Sequence, residues 1–422
     1  MKADTLFFYP KELIDKETQS LALSIRQWAD KEVIANRLKF LENYRQLVEN
    51  SRKKLAMDIG LQQMIWPEDY GGGGFNSYKR SISIVRVLEE VGRADPGIGF
   101  MFAANFSSYA PMVMEPHIDK DLCAQFAPMF CGKELKTGGS LILPGAGDID
   151  NKDETLFLGR TIQVAATLED DEWVINGKGL RPLNSGASAE LFCIVCASAY
   201  GGKGGKKAKG IPSIIYVPGD SKGIKRGKAF KKTGLHADKN ADVSFNNVRV
   251  PKAYMVKRDG AVKGVYLWLN LCMSATCIGS LMNVYEIIKD WVDVRVIKGK
   301  GLIKENPLDA AVLAEIAEDI TLSRMLTYNL ANIMTKPEVY GSLEQDRVFA
   351  LAEMIGMRVA SSALHAINRT MELMGSAGYA TEWNLEKHWR DVKTIQSYLC
   401  GIGANVPVSM DIARLFFDCK EI

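Results

Sequence analysis

Long apolar runs, an excess of one charge, and clusters of cysteine or histidine are what this 422-residue chain lacks. No stretch approaches the roughly 18 uninterrupted apolar residues of a membrane span. Even Val265 to Met282 is broken by Asn270, Ser274 and Thr276, so no span is predicted. Lys+Arg 53 against Asp+Glu 50 leaves a formal +3, too balanced for a nucleic-acid footprint or an acidic tail. The four histidines are far apart, and the eight cysteines are scattered. The one near pair, Cys193 and Cys196, has no second pair to complete a metal site and reads as buried thiols. The first residues carry acids early and no apolar leader core, which predicts a cytoplasmic protein.

What is present is an ordinary globular composition, 47% hydrophobic and 24% charged, in a chain long enough for two or three domains. Residues 1–137 read as helical, with Ile82, Val85, Leu88 and Val91 spaced three apart on one face. Residues 138–252 change to short β-rich runs such as EWVIN, LFCIVCAS and VSFNNVRV, separated by turn residues. From 253 to 422 the helical period returns, with Ile278, Leu281, Tyr285, Ile288 and Val292 as one stripe, and the helices look long enough for a bundle. GGKGGKKAKG at 201–210 lacks phosphate-loop spacing and reads as an exposed loop.

Four segments, in order, resemble the acyl-CoA dehydrogenase family of flavoproteins. They are WPEDYGGGGFNSYKRSISIVRVLEEVGRADPG (Trp66 to Gly97), LPGAGDID with the VINGKGLRPLNSG segment after it, KTGLHADKNADVSFNNVRVP (Lys232 to Pro251), and ELMGSAGYATEWNLEKHWRDVKTIQSY (Glu372 to Tyr398). The resemblance implies an α+β fold: an N-terminal helical domain, a middle β-sheet domain and a C-terminal four-helix bundle. It also implies FAD held without a covalent bond, an acyl-CoA thioester as substrate, electron-transferring flavoprotein as electron acceptor, and a homo-oligomeric dimer or tetramer. Carried over position by position, Leu141, Ile142, Asp148, Arg181, Leu183, Glu372, Gly375 and Ser376 would meet the cofactor. Arg295 would pair with the FAD diphosphate across a dimer interface, although as a bare residue it is a solvated helix-end charge.

The resemblance breaks at the chemistry. The family's carboxylate base falls on Leu399, which can offer only its main-chain N–H to the thioester oxygen, and the alternative base position falls on Leu269. Asn270 stands where the family commonly has an Arg that helps hold CoA, and Tyr398 precedes the lost base. Arg181, Pro182 and Leu183 replace a Trp-Ile-Thr triplet, and Ile142 replaces a Thr. The wall from Gly97 to Ala103, including Gly99 and Phe100, is apolar with two small gaps, which suits a compact or ring-shaped acyl group. Asp95 is the nearest carboxylate, and relatives acting on alicyclic thioesters use an N-terminal-domain Asp as base. Asp95 before Pro96 is equally a helix cap. His236 and Cys400 read as structural.

Three functions stay open: an oxidoreductase with a relocated base, an FAD-assisted lyase or decarboxylase needing no α-base, and a non-catalytic subunit completing a shared FAD site with an active homologue.

Overall fold

The computed structural model describes residues 3–142, 162–200, 211–258, 260–297, 299 and 301–419. Asp148 and the Gly/Lys stretch at 201–210 lie outside the described residues. The N-terminal part carries helices α1 (Lys16–Trp28), α2 (Arg37–Lys53), α3 (Ser81–Ala94), α4 (Pro96–Val113) and α5 (Lys120–Phe130). Their starts are marked chemically. Asp15, Asp95 and Asp119 accept the main-chain N–H of Thr18, Ile98 and Leu122, filling donors that a helix start leaves orphaned. Helix α2 bends at Asn43, whose φ of -132° and ψ of 43° leave the helical range.

Seven strands follow, β1 (Gly138–Leu141), β2 (Ala165–Glu169), β3 (Glu172–Leu180), β4 (Leu191–Tyr200), β5 (Ile211–Pro218), β6 (Ile224–Arg226) and β7 (Val243–Pro251). β1 and β2 lie end to end, both parallel to β4, through Gly138↔Leu191 and Ala165↔Ala197. β5 covers the other edge of β4, and β3, β7 and β6 continue antiparallel from β2. The apolar run in β4 is explained by burial on both faces. Phe192, Ile194 and Cys196 point into the sheet's own core, while Leu191, Cys193 and Val195 point into the helical core. Burial pushes the Cys193 thiol up to about 12, as expected of an inert core thiol.

The C-terminal part contains α6 (Ala261–Val294), a hairpin of β8 (Val296–Ile297) and β9 (Gly301–Leu302), then α7 (Pro307–Met334), α8 (Asp346–Met374), α9 (Leu385–Cys400) and α10 (Ile402–Phe417). Among the described residues α6 is the helix long and apolar enough to cross a membrane, and its apolar window is wholly buried inside the protein. Its apolarity has a local cause: α3, α4, α7 and α8 all pack against it. A Cβ at Gly279 would stand 2.1 Å from the Glu89 carbonyl oxygen, so α3 and α6 touch main chain to main chain. The charges on α3 are buried in pairs. Arg324 of α7 binds Glu89 at 2.5 Å, Arg86 binds Glu90 at 2.5 Å, and the Tyr328 hydroxyl donates to Glu89 at 2.8 Å.

Candidate active site

The residues around the missing base come together. The Phe100 ring from α4 stacks on Tyr398 from α9, with centroids 5.8 Å apart and planes 21° apart. Burial, with Asp238 nearby, pushes the Tyr398 phenol up to about 12 against the opposing pull of Arg181. Leu399 follows directly and is buried in the core, as is Leu269 on α6. Two expectations change here. Leu399 lies in the last turn of α9, where a helical N–H is directed at the carbonyl four residues back, so its main-chain N–H is not open to a thioester oxygen in this conformation. Gly99 is no gap: a Cβ there would meet the Thr276 methyl at 2.7 Å and the Gly92 Cα at 3.2 Å, so the glycine serves helix packing. Gly97 is similarly hemmed in by Asp95, Tyr44 and Ala237.

Asp95 is 2% exposed and its carboxylate is well occupied. Oδ1 caps α4 through the Ile98 N–H at 3.0 Å, the Tyr44 hydroxyl donates to Oδ2 at 3.1 Å, and Lys387 Nζ approaches Oδ2 at 2.9 Å. Lys387 also binds Asp391 at 2.5 Å, and Asp391 accepts the Leu235 N–H. Burial would push the Lys387 ammonium down, and the Asp391 and Asp95 carboxylates more than offset this, holding it well above its ordinary value. This geometry gives Asp95 the work of a cap and of an ionic tie between α4 and α9. His236 packs edge-on against Tyr44 with Nε2 2.6 Å from the Lys232 carbonyl oxygen.

The positions expected to meet a cofactor divide into two groups. Arg295 follows α6, is exposed, and its guanidinium lies over the Trp291 ring at 5.8 Å. Gly375 ends α8 at φ +59°, where a Cβ would meet nothing within 4 Å. Ser376 beside it is exposed, and Glu372 is held by Arg369 at 2.6 Å. Arg295 is an exposed cation of the kind that pairs with a diphosphate, whereas the Gly375 corner, though open, closes the C-terminal end of α8 and is not by helix geometry an anion site. The ring end offers less. Leu141, Ile142 and Leu183 are buried apolar side chains. The Ile142 carbonyl accepts the Tyr266 hydroxyl, and the Leu183 N–H donates to the Ser140 carbonyl at 2.6 Å. Arg181 is bound by Asp242 at 3.0 Å and lies over the Phe230 ring at 4.4 Å.

Two arrangements escaped the sequence. Asn270 is not a lone weakened contact: its Nδ2 donates to the Glu353 carboxylate at 3.2 Å, and Glu353 lines a cavity of about 240 Å³ between α6, α8 and α10 with Lys263 and Arg414 on its walls. Separately, Ser280, His388 and Asn283 form a line, with His388 Nδ1 2.7 Å from the Ser280 hydroxyl and Nε2 3.0 Å from Asn283 Oδ1. All three are buried, and burial lowers the imidazole to about 3. The line is a neutral, buried clamp between α6 and α9. No local motif announces either, since the partners are 83 and 108 residues apart. Among the described residues no group of His, Cys, Asp and Glu could hold a metal ion.

Comparison with known proteins bears on this geometry. Residues 15–116 match the acyl-CoA dehydrogenase N-terminal domain and residues 268–401 match the acyl-CoA dehydrogenase C-terminal domain, together more than half of the chain. The probable acyl-CoA dehydrogenase YngJ of Bacillus subtilis is 25% identical over 390 residues, covering 91% of this chain and 94% of that one. The cyclohex-1-ene-1-carbonyl-CoA dehydrogenase of Syntrophus aciditrophicus is 23% identical over 390 residues, covering 91% and 87%. Among solved structures, a glutaryl-coenzyme A dehydrogenase in complex with glutaryl-CoA superposes with a TM-score of 0.75 at 20% identity, covering 96% of this chain and 97% of that one.

Proposed function

The chain belongs to the acyl-CoA dehydrogenase family, whose members are oxidoreductases acting on CH–CH bonds, and from that premise we propose that it oxidises a compact or cyclic acyl-CoA thioester with FAD as hydride acceptor. The observation that carries the substrate class is the Phe100–Tyr398 stack directly beside position 399. Two flat rings at that wall favour a planar or ring-shaped acyl group over a flexible chain. The similarity to a cyclohex-1-ene-1-carbonyl-CoA dehydrogenase supports the same class.

Bound FAD would supply the acceptor for the β-hydrogen. Arg295 would meet its diphosphate end, with Gly375 and Ser376 assigned beside it by the family resemblance, while Ile142 and Leu183, which face the helical core, would pack its ring. Exposed apolar side chains flank Arg295 in the chain, with Val294 at 73% and Val296 at 58% exposure. They support a homo-oligomer in which Arg295 reaches a neighbouring copy. Electron-transferring flavoprotein as acceptor and a cytoplasmic location belong to the same proposal.

One observation favours a second reading. Both family base positions are buried leucines and the ring-end main-chain groups are already partnered, as expected of a subunit that lends Arg295 to an active homologue. Reconstitution distinguishes the two. Mixed with FAD alone, the protein should turn yellow as a dimer or tetramer. A chain that stays colourless alone and takes up flavin only with a homologous partner supports the second reading.

A further inference from the structure

A second cavity lies where α2 meets the loops that lead into β1, β4 and β7, among residues to which no role has been given above. It measures about 160 Å³, and its walls include Arg45, Glu49 and Arg52 from α2 with Thr137, Glu190 and Lys239 from the three loops. The charges on these walls are unevenly matched. Lys239 is taken by Glu49 at 3.0 Å, and Glu190 accepts the Thr137 main-chain N–H at 2.7 Å. Arg52 Nη1 donates to the Thr137 hydroxyl at 3.2 Å, and among the described residues that neutral oxygen is its one acceptor. A guanidinium carries five N–H donors, so most of this fork has no protein partner. Burial pulls the Arg52 pKa below the ordinary arginine value, against the opposing pull of Glu49, Glu190 and Asp238. Arg45, on the same wall, has neither an acceptor nor an acid partner among the described residues. A cation withdrawn from water and left unpaired is costly, and an anion seated between the two forks removes that cost.

The cavity adjoins a groove of about 560 Å³, and Arg45 and His236 line both. Helix α2 bends at Asn43, and the groove runs past that bend between Asn43 and Tyr44 on one side and Phe230 and Lys231 on the other. Its acids are Glu42, which is exposed, and Asp238, which holds Lys232 at 2.6 Å. Lys231 has no acid partner among the described residues.

We propose that the inner cavity is a phosphate subsite, with the Arg45 and Arg52 guanidinium forks as its two cations. A planar fork meets phosphate oxygens two at a time. The 160 Å³ available exceeds the share of one water, about 30 Å³, several-fold, so a tetrahedral oxyanion has room. The phosphate is either the free ion or the end of an organic phosphate whose body lies in the groove against Tyr44 and Phe230. The site needs neither flavin nor a base, so its failure leaves the proposed oxidation untouched. In the competing arrangement Glu190 serves Arg52 across the cavity, and that arrangement predicts the opposite response to loss of Glu190.

Calorimetric titration of the full chain as purified with inorganic phosphate, at ionic strength held constant with chloride, tests the subsite. One-to-one binding in the low-millimolar range or tighter is expected from two charge-assisted contacts. Arg52→Met and Arg45→Met should each weaken it at least about tenfold, while Glu190→Gln, which removes a nearby negative charge, should tighten it. If Arg52→Met does not fold, the exposed position of Arg45 makes Arg45→Met the deciding variant. AMP distinguishes the two sources: AMP bound at least as tightly as phosphate, with the same loss in the arginine variants, assigns an organic phosphate, and weaker binding of AMP assigns the free ion. Absence of saturable phosphate binding, or wild-type affinity in the arginine variants, overturns the subsite. So does phosphate binding that is lost in Arg295→Ala and kept in Arg52→Met, which places the anion at the diphosphate contact. Unchanged or weaker phosphate binding in Glu190→Gln also overturns it and assigns Glu190 to Arg52 as its counter-ion.

Discussion

Replacing Asp95 by Asn should cost stability rather than remove a base, and the size of the loss follows from its partners. Asn caps a helix about as well as Asp, so the Ile98 contact at 3.0 Å survives. What disappears is the negative charge facing Lys387 Nζ at 2.9 Å. Lys387 keeps Asp391 at 2.5 Å, so the variant does not leave a bare buried ammonium, which would cost about 3–5 kcal/mol. The expected loss is one charge-assisted hydrogen bond, roughly 1.5–3 kcal/mol. Urea unfolding of wild type, Asp95→Asn, Lys387→Met and the double variant, at one protein concentration, measures it. A coupling of roughly 1.5–3 kcal/mol between the two sites is expected from the cycle. A coupling under about 0.5 kcal/mol, the level found for independent sites, would refute the ionic tie. Asp95→Asn that keeps full stability yet loses oxidation of an acyl-CoA thioester would return Asp95 to the role of base.

His388 gives a pH dependence of defined sign. Folding holds its pKa down to about 3, while the unfolded chain protonates near 6.5, so its contribution is lost as pH falls from about 6.5 toward 3, by up to roughly 1.4 kcal/mol per unit. The difference in unfolding free energy between wild type and His388→Gln across that range checks it, and a flat difference would contradict it. Arg324→Met should destabilise the chain by roughly 1.5–3 kcal/mol, the worth of a charge-assisted hydrogen bond, because Glu89 keeps Arg86 at 3.2 Å when Arg324 is lost, read from the same urea curves. Arg295→Ala should leave the apoprotein within about 0.5 kcal/mol of wild type, as for an exposed side chain, but should release FAD faster on dilution. Equal release rates would remove the diphosphate contact.

The sequence carried the parts of the fold set by local chemistry. The α, β, α order follows from hydrophobic period, and the Asp95–Pro96 helix start from two adjacent residues whose capping preference needs no tertiary context. The apolar face of α6 was legible as a stripe, although the completeness of its burial was not, because α3 and α4 cover it from nearly 200 residues away in the chain. Gly97 and Gly99 were misleading for a physical reason: a missing side chain looks like room from the sequence, while here the room is filled by Thr276, Gly92 and Tyr44. Glu353 was invisible because a lone acidic residue on a long helix is ordinarily solvated, and its burial depends on Asn270 and Gly356 meeting across two helices. The Lys387 tie was hidden within a run recognised for other reasons.

Anaerobic titration of FAD-loaded protein with a series of acyl-CoA thioesters, from butyryl-CoA to cyclohexanecarbonyl-CoA and cyclohex-1-ene-1-carbonyl-CoA, tests the central claim most directly. The visible flavin bands should bleach with a cyclic thioester, and more completely than with the straight-chain one. Flavin that stays oxidised with every thioester, in protein shown to bind both FAD and CoA esters, would contradict an acyl-CoA oxidoreductase.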